Sequence, residues 1–279
     1  MLKTTIPGRL LHSFCIFFVA LCIAQLGYAK TAVQQSLIKA SNIKLSNSYA
    51  FDRCRALSKP FDENSPKRKA IIVGDSQGCD FLNEILENNY LSNYQIRVRF
   101  IPYPCQTVLG GHRARYIHPK NRRLCADKRT DNLHKARKQI QHADLVIFAA
   151  LWKQEVSRQM PQIINYLRLK KKQRLVVVGN KFFGKITINK YMHMPYTKLK
   201  RLRNDVGLVS QKVNKILKNR VGNKALFVDP QELVCQDATT CPVFTDNLHL
   251  ISYDGRHLTK DGARYIGRIL FQKTTLKNL

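Results

Sequence analysis

The stretch Ala70-Ile71-Ile72-Val73-Gly74-Asp75-Ser76-Gln77-Gly78 decides how the rest of the chain reads. Four apolar residues in a row, without alternation, describe a strand buried on both faces, as in a parallel sheet. The two glycines permit a tight turn around Asp75 and Ser76. Phe81, Leu82, Ile85 and Leu86 then recur at helical spacing. The same alternation continues outward. Strands are predicted over 96–103, 145–151, 175–178 and 225–228, and helices over 132–143, 160–169, 196–220 and 259–271. Strand and helix in turn give βαβ units, a parallel sheet with helices on both faces and right-handed connections. Neither an internal repeat nor a long linker interrupts this pattern, so one domain spans 67–275. A lead segment over 30–66 has weak periodicity, with one short helix predicted near 32–41.

Composition narrows the class. Lys and Arg number 48 against 18 Asp and Glu, a formal charge of +30. With 44% hydrophobic residues, 13 Gly and 10 Pro, the chain is neither disordered nor collagen-like. The charge calls for an anionic partner: nucleic acid, a lipid surface or an acidic glycan. The N-terminus helps to choose. Lys3 and Arg9 precede an apolar stretch over 10–26, followed by Gly27-Tyr28-Ala29. That is the pattern of a signal peptide over 1–29; the competing reading is an uncleaved membrane anchor, since 10–29 is long enough to span a bilayer. Either places the protein outside the cytoplasm, periplasmic or secreted, and disfavours nucleic acid as its partner.

Export also bears on the cysteines. Cys15 and Cys22 lie in the leader, and the even set Cys54, Cys79, Cys105, Cys125, Cys235 and Cys241 favours disulfides. Cys235 and Cys241 could clip one loop, Cys105 and Cys125 bracket a basic loop, and Cys54 and Cys79 remain by elimination. The sequence alone leaves this connectivity open. No CxxC or HExxH spacing occurs, so no metal site and no cofactor is expected.

Chemistry concentrates at two ends of the domain. In parallel sheets, ligands bind outside the carboxyl ends of the strands, where Ser76 sits at the start of a helix. Alone, Ser76 reads first as a helix N-cap. Near the other end, Tyr253-Asp254-Gly255-Arg256-His257-Leu258-Thr259 precedes the last helix. Asp254 and His257, three apart in a glycine-containing turn, can place a carboxylate on one imidazole nitrogen and leave the other for a serine.

This conjunction resembles the SGNH (GDSL-type) hydrolase superfamily, whose first block is a GDS and whose last is a DxxH. The chain is more similar still to the SGNH domains associated with bacterial membrane O-acyltransferases. The likeness rests on GDSQG over 74–78, the YPC…C loop over 103–125, DLVIFAALW over 144–152, and VDPQELVCQDATTC…LISYDGRHLTKDGARYIG over 228–267. It implies a flavodoxin-like α/β three-layer sandwich around a central, mainly parallel five-stranded sheet. It also implies Ser76 as nucleophile, His257 as general base and Asp254 as its orienting partner, with Cys235–Cys241 and Cys105–Cys125 paired. The implied function is an exported esterase or O-acyltransferase acting on acyl, chiefly acetyl, esters of cell-envelope glycans, with an acidic glycan or lipopolysaccharide as substrate and a membrane acyltransferase as partner.

The usual oxyanion donors of the superfamily, a Gly after the second strand and an Asn after the third, are missing. Tyr103-Pro104-Cys105 and Ala150-Leu151-Trp152 stand there instead, with Gly110-Gly111 further on. Gly78 and Asn180 are the candidate substitutes, Asn180 also reading as a solvated loop residue. Trp152 is either a pocket wall and sugar platform or core. His249, His112 and His118 read first as packing or surface residues. Basic runs at Lys170-Lys171-Lys172, along 196–220, and at Arg113, Arg115, Lys120, Arg122 and Arg123 would steer an acidic glycan. The reading from another class is a non-catalytic polyanion- or glycan-binding protein on the same scaffold.

Overall fold

The computed structural model describes residues 32–106, 117–237 and 239–279. The leader, Gly110, Gly111, His112, Arg113 and Arg115 lie outside the described residues. Two lead helices, α1 (32–41) and α2 (Ile43–Ala56), come first. Then follow β1 (Arg68–Gly74), α3 (Ser76–Glu87), β2 (Tyr94–Phe100), α4 (Leu133–Gln141), β3 (Leu145–Ala149), α5 (Met160–Leu167), β4 (Arg174–Val178), β5 (Arg203–Asp205), α6 (Val209–Val221), β6 (Leu226–Val228), α7 (Pro230–Cys235), β7 (Thr240–Pro242) and α8 (Lys260–Lys273).

Five strands form one all-parallel sheet in the order β2-β1-β3-β4-β6, while β5 and β7 pair as a small antiparallel ribbon. The unbroken apolar run in β1 follows from its place between β2 and β3. Ala70 and Ile72 face a core built with α3 and α8, while Ile71 and Val73 face one built with α4, α5 and α6. The chain leaves β1 toward β2 and later returns to the other side of β1 as β3. The strand order therefore reverses at β1, the switch point where ligands of such sheets bind, and Ser76 stands at that exit.

Two expectations change. The predicted helix over 196–220 is three elements: a short helix at Tyr196–Lys200, β5, and α6. Gly207, with φ +59°, breaks the helical path, and Val206 N–H donates to Thr239 O at 2.8 Å beside the β5–β7 pairing. The lead segment holds two helices rather than one. Asn42 caps α2 through a bond from Leu45 N–H at 3.1 Å. Val33, Leu37, Ala40 and Ala50 pack with Tyr191, Leu199, Phe244, Leu250 and Tyr253 in a third apolar cluster. All three disulfides form: Cys54–Cys79 ties α2 to α3, Cys105–Cys125 ties the β2 exit to a short helix at Arg122–Ala126, and Cys235–Cys241 ties α7 to β7.

Candidate active site

Close packing fixes the start of α3. A Cβ on Gly74 would lie 1.7 Å from Ala149 O, and one on Gly78 would lie 2.9 Å from the same atom. The β1 exit therefore presses directly against β3. Asp75, 2% exposed, is the helix N-cap. Its Oδ1 accepts Gln77 N–H at 3.0 Å, both oxygens accept Leu151 N–H at 3.1 Å, and Oδ2 accepts Gln106 Nε2–H at 2.8 Å. Burial nonetheless pushes this carboxyl up to about 6. Because Asp75 fills the cap, Ser76 is the first residue of the helix. It is partly exposed, and its N–H, at a helix N-terminus, has no acceptor within the helix.

The second segment is a turn that fixes an imidazole. Asp254 Oδ1 accepts the N–H groups of Arg256 and His257 at 2.8 and 2.7 Å, and Oδ2 meets His257 Nδ1 at 2.6 Å. Gly255 has φ +88°, and a Cβ there would lie 2.1 Å from Gly184 O; this position demands glycine. Ser252 Oγ donates to His257 O at 2.6 Å and accepts Gly255 N–H at 2.8 Å. Burial pulls the His257 pKa down, but the Asp254 hydrogen bond and the charges of Asp80 and Asp254 outweigh it, so the net direction is up. For Asp254 burial acts upward, and the bonds from His257 and Arg256 carry the net direction down. The pair thus favours carboxylate and imidazolium.

Two bridges fasten this turn to α3. Gln77 Nε2–H donates to Arg256 O at 3.2 Å, and Leu258 N–H donates to Asp80 Oδ1 at 3.2 Å. The residues flanking His257 are therefore held by the helix that Ser76 begins. The second lead helix, α2, supplies a wall. Phe51 contacts the His257 ring edge-on, Tyr253 stacks on it with centroids 5.8 Å apart, and Tyr253 Oη bonds Asn47 Oδ1 at 3.0 Å.

The remaining candidates take structural places. Gly78 N–H already donates to Asp75 O at 2.9 Å, so it is spent inside the helix. Asn180 is 3% exposed, not solvated. Its Oδ1 accepts Trp152 N–H at 2.6 Å and its Nδ2–H donates to Trp152 O at 3.1 Å, which clamps the exits of β3 and β4 together. Trp152 is 7% exposed, edge-on to Phe148, with Nε1–H on Val178 O at 2.7 Å. Its indole belongs to the core rather than to an open platform. It also lines an apolar cavity of about 40 Å³ with Val73, Gly74, Ile101, Gln106 and Phe148. His249 Nδ1 lies 3.5 Å from Asp261 Oδ2 at the edge of a separate polar groove. Lys120, Arg122, Arg123 and Lys170 to Lys172 are exposed. The sequence reading missed Gln106, Asp80 and Lys181: Asp80 reads as a polar position in the first turns of α3, and only for Lys181, three residues past β4, did a strand end offer a signal.

A three-layer α/β sandwich with a serine at the β1 exit and an Asp–His turn before the last helix defines a class, the SGNH fold. The model of the family described as "SGNH domain (fused to AT3 domains)" matches residues 40–272, and the chain belongs to that family. The match begins within the lead segment. Among solved structures, the chain is similar to the periplasmic domain of a lipopolysaccharide acetyltransferase from Salmonella ser. Paratyphi A. The identity is 11%, the TM-score is 0.50, and the match covers 84% of this chain and 98% of that one. Comparison with curated proteins gives no match. Among the described residues no helix is long and apolar enough to cross a membrane.

Proposed function

We propose that the protein is an exported SGNH serine enzyme that cleaves or transfers acyl groups, chiefly acetyl, on cell-envelope glycans. Ser76 Oγ attacks the ester carbonyl while His257 takes its proton and later returns it to the leaving oxygen. Asp254 holds the ring tautomer and stabilises the imidazolium. The Ser76 N–H, at the positive end of α3, faces the developing oxyanion. The acyl-enzyme then passes to water or to a sugar hydroxyl.

The observation that carries this reading is the Asp254–His257 bond at 2.6 Å on a turn tied to the Ser76 helix. The family's association with acyltransferase domains and the lipopolysaccharide acetyltransferase neighbour support a glycan or lipopolysaccharide acceptor and a membrane acyltransferase partner. The three disulfides support an oxidising compartment, and the exposed lysines and arginines support steering of an acidic substrate. A fluorophosphonate probe tests the core of the proposal. Labelling of wild type at Ser76, with loss of labelling and of p-nitrophenyl acetate cleavage in Ser76→Ala and His257→Ala, is expected. Folded wild-type protein that takes no label and cleaves no ester would instead favour a glycan-binding role.

A further inference from the structure

Lys181, three residues beyond β4, is 4% exposed, and of the described lysines it alone is buried. Its Nζ donates to Gln77 Oε1 at 2.6 Å and to Asp80 Oδ2 at 2.9 Å, and Asp80 is fully buried. Burying an ammonium is costly unless a counter-charge and further acceptors satisfy it. Here both acceptors lie in the first turns of α3.

The consequence reaches the proposed site. An ammonium only donates, so it fixes the Gln77 amide oxygen and turns the amide nitrogen toward Arg256 O. Asp80, held through Oδ2, offers Oδ1 to Leu258 N–H. Arg256 and Leu258 are the two neighbours of His257, and Gln77 is the neighbour of Ser76. Both polar bridges between the helix and the turn therefore pass through side chains that Lys181 grips. Glu84, one helical turn beyond Asp80, is also buried, but burial pushes its carboxyl up to about 8. It is thus a neutral acid near pH 7, and Asp80 is the buried carboxyl that the Lys181 ammonium reaches directly, at 2.9 Å.

We propose that Lys181 is a positioning residue: with Asp80 it sets the separation of the Ser76 helix from the His257 turn and balances the negative charge that Asp80 places beside the imidazole. Its catalytic consequence rests on the Ser76, His257 and Asp254 reading; its effect on the imidazole does not. The charged and titratable groups acting on His257 are Asp254 and Tyr253 from its own turn, Asp80 from α3 and Lys181 from the loop after β4. The aromatic neighbour from α2 is the uncharged Phe51. Asp80 and Lys181 act on the ring in opposite directions.

Two single variants of the full chain test this. The His257 titration midpoint, followed by ring NMR of ¹⁵N-histidine-labelled protein, is expected to rise by about one pH unit in Lys181→Met and to fall by about one in Asp80→Asn. The pH dependence of fluorophosphonate labelling at Ser76 should move with it. Opposite shifts are not the mark of mere loss of packing. Unmoved midpoints in folded variants, or shifts in the same direction, overturn the proposal. Where one variant does not fold, the other carries the test. Where neither folds, the neutral pair Asp80→Asn with Lys181→Gln replaces them: Ser76 labelling slowed at least about tenfold supports the inference, because lost positioning acts on the reaction barrier, and unchanged labelling overturns it. Wild type that takes no label at Ser76 would sink the catalytic reading, while the His257 titration would still decide the role of Lys181.

Discussion

Phe51 lies edge-on to His257, with ring centroids 5.5 Å apart and planes at 61°. The lead helix α2 is thus a wall of the proposed site rather than a tether to it. An aromatic contact of this kind contributes about 1 kcal/mol beyond its burial. Phe51→Ala is therefore expected to lower kcat/KM for p-nitrophenyl acetate about fivefold, through a more mobile imidazole, with the fold retained by circular dichroism. An unchanged rate would make α2 a scaffold only.

The Cys54–Cys79 disulfide holds α2 to α3 three residues past Ser76, across a sequence separation of 25. Closing a loop of that length stabilises by about 3 kcal/mol in the chain-entropy account. Replacing both cysteines by alanine should lower stability in urea by that order. It should also slow Ser76 labelling at temperatures where the sheet is still folded. Equal losses from every disulfide pair would argue against a special role for this one.

The parts of this architecture that could be read from the sequence are those fixed by local rules. The β1 run declares burial on both faces, and the Asp254–His257 spacing sets its own geometry within one turn. The parts that escaped depend on distant partners. Residues 196–220 are rich in helix-forming lysine, arginine and leucine, and nothing nearby announces that Arg203 to Asp205 pair with Thr240 to Pro242. Helix α2 leaves Ile43 and Leu45 exposed and buries only Ala50 and Cys54. It is placed by Cys54–Cys79 and by Asn83 Nδ2, which reaches Tyr49 O and Ala50 O at 3.2 and 3.3 Å. A lysine after a strand reads as surface until Gln77 and Asp80 are known to lie beneath it.

Asn180 separates a structural from a catalytic amide. Its side chain serves both the N–H and the O of the buried Trp152 backbone. Asn180→Leu leaves both unpaired and should cost roughly 2–5 kcal/mol of stability, measured by urea denaturation. If the clamp is its role, kcat/KM of the folded fraction falls only a few-fold. Loss of an oxyanion donor would instead remove roughly 10²–10³ in kcat.

On the proposed mechanism the Asp254–His257 pair sets the pH profile. The base works when neutral, and its pKa is raised above the usual 6.5. The acid limb of kcat/KM should therefore lie above 6.5, with activity lost as pH falls through it. The sign for stability is the reverse. The raised histidine contributes stability that is fully present below 6.5 and lost as pH rises through its folded value, and the lowered Asp254 sustains it down to below 3.8. Asp254→Asn removes both effects. Its acid limb should move down, and kcat should fall roughly 10³–10⁴-fold. An unmoved limb would mean that another group sets the profile.

Glu84 makes the most direct linkage test. It is 1% exposed, its Oε2 has no hydrogen-bond partner among the described residues, and burial raises its pKa from 4.5 to about 8, partly opposed by the charge of Lys181. Between those two values the folded protein holds a proton that the unfolded chain has released. Stability therefore falls as pH rises, by up to about 1.4 kcal/mol per unit, and levels off above about 8. Glutamine has the same shape and no proton to lose. The stability advantage of Glu84→Gln over wild type should thus be small near pH 5, grow through pH 8 and then stay constant, as read from urea midpoints at four or so pH values. A difference independent of pH would show that Glu84 ionises in the folded protein near its ordinary value, and that its charge adds to those of the other buried carboxyls around Lys181.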